Sequence, residues 1–86
     1  MQIAIFKYLT YVKASDNELI RLLMKFSDPN SLEELRECAV EYIETLSEYE
    51  PKLNIVYIRL LEDEEYEIRK YTARIVATQL KTYNFN

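Results

Sequence analysis

The chain has 86 residues, which bounds it to one small domain with a modest core, because a domain this size removes only about two-thirds of its unfolded surface from water. Hydrophobic residues at 49% and charged residues at 30% form an ordinary balance that argues against disorder and against a membrane span, and a net charge of −4 gives no support to phosphate-backbone binding. With no His, no Gly and one Cys, the usual general base, the glycine-rich phosphate loops, an internal disulfide and a cysteine-based zinc site are all excluded.

Apolar residues recur at intervals of three and four, and prolines occur only at 29 and 51, so the whole chain reads as helices joined by short turns. Ile5, Leu9 and Val12 place a first helix near 2–13. Ser15 with Glu18 forms a capping box, opening a second helix near 16–26 that carries Leu19, Leu22, Leu23 and Phe26 on one face. Asp28-Pro29-Asn30 breaks it. Ser31 with Glu34 repeats the capping box and opens a third helix near 31–47, with Leu35, Ala39, Tyr42, Ile43 and Leu46 inward. Pro51 suits the first turn of a fourth helix near 51–61, with Leu53, Val56, Tyr57 and Leu60 inward. Asp63 is the expected N-cap of a last helix near 64–82, whose inward set is Ile68, Thr72, Ile75, Val76 and Leu80.

A repeat is visible in this order. Leu35-Arg36-Glu37-Cys38-Ala39 and Ile68-Arg69-Lys70-Tyr71-Thr72 stand 33 residues apart, each preceded by an acidic turn holding Asp28 or Asp63. The tetrad Ile-Arg-Leu-Leu occurs at both 20–23 and 58–61. The pattern resembles the HEAT repeat family, most clearly from Pro51 through Leu80, where Pro51, Leu53, Leu60-Leu61, Asp63, Ile68-Arg69 and Thr72 follow the family order. The first copy departs by two extra residues between Asp28 and Arg36. The resemblance implies an all-α fold, a right-handed α-solenoid segment of about two and a half helical hairpins: a partial repeat helix at 1–14, one repeat at 15–47 and another at 51–82. It also implies that Asp28, Arg36, Asp63 and Arg69 hold the stack together, an Arg reaching the turn Asp of a neighbouring repeat. The stretch from Glu62 to Ala73 is in addition similar to repeats of the THADA family, large HEAT-type proteins that assist a tRNA ribose methyltransferase.

Two equivalent helices laid in a 33-residue register would set Glu37 against Lys70, Glu41 against Arg74 and Glu48 against Lys81, all of opposite charge. That arrangement predicts a nearly neutral face that reads partners by shape. No catalytic, cofactor or metal-ligating set is expected. Glu33 and Glu37 fit a solvated stripe, the acids around Asp63 lack calcium-loop spacing, and Cys38 fits an inert apolar filler among Glu34, Glu37 and Glu41. Tyr11, Tyr49 and Tyr66 are expected to be the more exposed tyrosines.

The expected function is a non-catalytic protein–protein interaction scaffold, the partner being another protein or further repeats of the same polypeptide, with self-association through the apolar ends of the stack. The alternative is an accessory part of an RNA-modifying enzyme, such as a tRNA ribose methyltransferase partner. No apolar run approaches the roughly 20 residues that a bilayer demands, and the N-terminus lacks the pattern of a signal peptide, so a cytoplasmic address is expected.

Overall fold

A computed structural model describes residues 16–82, and over that range every regular element is helical. The expected helix at 2–13, Ser15 and Tyr11 lie outside the described residues. Four α-helices follow one another: α1 (Asp16–Phe26), α2 (Glu33–Glu44), α3 (Asn54–Leu61), which continues a single 3₁₀ turn at Pro51–Leu53, and α4 (Tyr66–Thr82). Each helix packs on its successor; α1 also touches α3, and α2 lies against α4. The smallest extent of the Cα trace is 17 Å, room for two layers of helices at ordinary interaxial spacing.

The shared core holds Leu23 and Phe26 from α1, Cys38, Ala39 and Ile43 from α2, Leu53, Val56, Tyr57 and Leu60 from the 3₁₀ turn and α3, and Ile68 from α4. The inward set expected for α3 is buried in full. Leu19, Leu22, Leu35, Tyr42, Leu46, Ile75 and Val76 pack half-buried around it. Leu80, expected inward, is exposed, and the buried position on that turn belongs to Gln79. Tyr66 is exposed as expected, whereas Tyr49 stacks on Tyr57 with ring centroids 4.5 Å apart and is half-buried.

The chain has no glycine to close a helix in the left-handed conformation, so the last carbonyls of each helix need other donors. At α1, Arg59 donates to the Met24 carbonyl at 2.7 Å and the Ser31 hydroxyl donates to the Phe26 carbonyl at 2.6 Å. Beyond α2, Thr45 donates to Tyr42, and the Gln79 amide of α4 donates to the carbonyls of Ile43 (2.7 Å) and Leu46 (3.1 Å). The residues that end α2 and α3, Thr45 and Glu62, keep negative φ of −75° and −107°. Local turn N–H groups close α3, while α1 and α2 also draw donors from α3 and α4.

This use of donors corrects the expected capping box at Ser31. Its hydroxyl serves the end of α1, α2 starts at Glu33 behind Leu32, and Leu32, 63% exposed, supplies no side-chain cap. Asp63 also acts earlier than an N-cap: its Oδ1 accepts from the Glu65 backbone N–H at 2.9 Å, forming a turn that leads into α4 at Tyr66.

Candidate functional site

A buried ion pair links the turn that leads into α4 to the start of α2. Arg36, on the first turn of α2, donates through Nε–H to Asp63 Oδ2 at 2.7 Å, and the two side chains are only 6% and 2% exposed. Arg36 Nη1–H also donates to the Ser31 carbonyl at 2.6 Å, so one guanidinium ties the turn before α2 to the turn before α4. Arg69 occupies the matching place on α4 and donates through Nη1–H to the carbonyls of Asp63 (2.7 Å) and Glu64 (3.0 Å). Thus Arg36, Asp63 and Arg69 converge. Asp28 stands apart: its Oδ1 accepts from the Asn30 backbone N–H at 2.7 Å, shaping its own turn. Its turn is the one with two extra residues, and neither arginine is paired with it among the described residues.

The three expected charge pairs do not form. Among the described residues no ion pair joins Glu37 to Lys70, Glu41 to Arg74 or Glu48 to Lys81. Lys70 is engaged on its own helix, 3.8 Å from Glu67 and within 6 Å of the ring centres of Tyr66 and Tyr71. Side-chain contacts between the two helices and their flanking turns keep no constant offset either. They span 27 residues at Arg36–Asp63, 33 at Gln79–Leu46, 35 at Thr82–Ser47 and 36 at Gln79–Ile43. The 33-residue offset is met at Gln79–Leu46 but not by the three charge pairs, and the expected neutral face does not arise from them.

In place of that face, α2 and α4 enclose an open groove of about 310 Å³. Val40, Ile68, Tyr71 and Ile75 supply its apolar part, and Glu37, Glu41, Glu44 and Glu67 its polar part, with no cation in the lining. Tyr71 is 50% exposed there. Arg74 instead borders a neighbouring hollow with Glu44, Ser47, Ile75 and Thr78. Cys38 is buried beside the groove, and its thiol is held above the ordinary value of 9.0, first by desolvation and then by the charges of Glu41 and Glu37.

One buried polar group escaped the sequence pattern. Gln79 accepts from the Tyr57 hydroxyl at 2.6 Å while its amide holds the end of α2, and burial pushes the Tyr57 hydroxyl upward from 10.0. The signal for Gln79 was positional, since it lies seven residues after Thr72 and four after Ile75 on the inward stripe. Arg36 was marked by the repeat as a stacking residue, and its burial follows from the contact with Asp63.

Among the described residues no cluster of three His, Cys, Asp or Glu side chains has the spacing of a metal site, and no helix is long and apolar enough to cross a membrane. The fold is all-α. Comparisons with protein-family models, with curated proteins and with solved structures find no match to the chain.

Proposed function

We propose that this chain is a non-catalytic protein-interaction scaffold, a right-handed α-solenoid segment of HEAT-type hairpins whose α2–α4 face receives the partner. The observation that carries the reading is the Arg36–Asp63 pair, which joins successive hairpins through equivalent turns as an arginine-to-aspartate link between stacked repeats would. The packing of α2 on α4, and of α1 on α3, supports the same reading. A second face bears on partners as well: Ile55 and Ile58 of α3 are 53% and 50% exposed and, with Leu61, form an apolar stripe three residues apart. We read that stripe as the contact for further repeats of the same polypeptide or for a second copy, and a cytoplasmic address as the setting. Sedimentation of the chain should show concentration-dependent association that Ile55→Glu with Ile58→Glu abolishes, and a monomer at every concentration contradicts this part.

Photo-cross-linking tests the reading. A photoreactive phenylalanine analogue at Tyr71, on the groove, and separately at Arg21, exposed on α1, would be introduced into the full chain in cells. The expected result is a discrete protein adduct from position 71 and none from position 21. An RNA adduct from position 71 would favour the alternative, an accessory part of an RNA-modifying enzyme, and no adduct from 71 would contradict both.

A further inference from the structure

We propose that the groove between α2 and α4 is a docking site for a short amphipathic helix whose polar flanks carry lysine or arginine. This rests on the scaffold reading and names the chemistry of the partner. Three observations carry it. The first is shape: Val40, Ile68, Tyr71 and Ile75 line an open groove along α2, apolar surface of the kind that accepts side chains at i, i+3 or i+4 of a helix.

Charge comes second. Glu37, Glu41, Glu44 and Glu67 are the only charged residues in the lining. Glu67 has Lys70 at 3.8 Å, while Glu37, Glu41 and Glu44 have no ion pair among the described residues. The sole cation of α2, Arg36, is committed to Asp63.

The third observation is local frustration. Glu41 and Glu44 sit in the last turn of α2, where the helix dipole disfavours anions and where no basic residue compensates. Glu37 and Glu41 are four apart and Glu41 and Glu44 three apart, spacings at which like charges repel along a helix. A cationic helix laid in the groove covers the apolar floor and relieves that repulsion together. An anionic segment or a phosphate backbone would meet the same carboxylates and add to it.

The probe is a fluorescein-labelled peptide of about two heptads with leucine on one face and lysine elsewhere. It is compared with a glutamate version of the same pattern and with a scrambled leucine–lysine sequence that keeps the charge and loses the face. Anisotropy titrations against the full chain should show binding of the first peptide, weakened at least about tenfold in each control and by raising salt from about 0.05 M to 0.3 M. Tyr71→Ala, at an exposed position, and the triple change Glu37→Gln, Glu41→Gln, Glu44→Gln should each weaken it at least about tenfold. Circular dichroism should show both variants as helical as the parent. Equal binding of the scrambled peptide, or no effect of the triple change in a helical variant, overturns the proposal. A protein adduct from Tyr71 alongside a failed peptide titration rejects the basic-helix partner and leaves the scaffold reading standing, whereas loss of the adduct rejects the scaffold itself.

Discussion

Replacing Arg36 with Met removes the donor that Asp63 Oδ2 has among the described residues while leaving a carboxylate whose side chain is 2% exposed. Breaking a buried pair from one side costs about 3–5 kcal/mol, because the surviving charge is desolvated without compensation. The Ser31 carbonyl loses its 2.6 Å partner in the same step. Against a total stability of about 5–15 kcal/mol for a small domain, this is a large fraction. With a urea m-value near 1 kcal/mol/M for so short a chain, the unfolding midpoint followed by circular dichroism should fall by about 3–5 M, which amounts to loss of folding without urea if the parent midpoint is lower. Asp63→Asn keeps an acceptor for Glu65 N–H and removes the charge, so the double variant should cost less than the sum of the single ones by about 1–3 kcal/mol. Because the pair is buried, about 1 M NaCl should leave the difference nearly unchanged. A shift of less than about 0.5 kcal/mol for Arg36→Met, or strict additivity in the cycle, would refute the claim that this contact joins the hairpins.

Gln79→Leu should destabilise by about 2–3 kcal/mol in the same urea assay, since it strips a partner from the buried Tyr57 hydroxyl and from the carbonyls of Ile43 and Leu46. Tyr57→Phe should cost clearly less. Thr72→Val should raise the thermal midpoint, worth about 1 kcal/mol, because the Thr72 hydroxyl is buried with no hydrogen-bond partner; a lowered midpoint would show that the hydroxyl is satisfied. The Cys38 thiol and the Tyr57 hydroxyl both ionise at higher pH in the folded chain than in the unfolded one. The stability they contribute is complete below their ordinary values of 9.0 and 10.0 and is lost as pH climbs from there through the raised folded values. Urea midpoints should therefore decline from about pH 9 upward, less steeply in Cys38→Ala, and a flat profile would contradict the burial of both groups.

The parts of this fold legible in the sequence are those where periodicity and packing agree. Leu53, Val56, Tyr57 and Leu60 keep helical spacing behind Pro51, and all four are buried. Asp16–Phe26 was bounded by the Asp-Pro-Asn break, and its C-terminus lies where that break predicts. Several misses come from polar side chains that donate to helix-end carbonyls, near in sequence or far. Ser31 looks like a cap for its own helix and instead closes the previous one. Leu80 was placed inward for its apolarity, whereas the buried position on that turn goes to Gln79, whose amide donates to the carbonyls of Ile43 and Leu46 at the end of α2. α2 stops at Glu44, three residues short of the expected end, where Thr45 folds its hydroxyl onto Tyr42. At the site, the Arg-bearing echo pointed to Arg36, Asp63 and Arg69 but could not show which turn each arginine would reach. The groove stayed hidden because a linear register pairs charges by position alone, whereas Lys70 turns to Glu67 on its own helix and Arg74 borders a neighbouring hollow.

The footprint of the bound partner on the full chain tests the scaffold account most directly. Hydrogen exchange of the complex purified from cells, compared with the free chain, should show new protection concentrated in α2 and α4 around residues 37–44 and 67–75, with α1 unchanged. Protection confined to α1, with the groove exchanging as fast as in the free chain, would contradict the assignment of the α2–α4 face to partner binding.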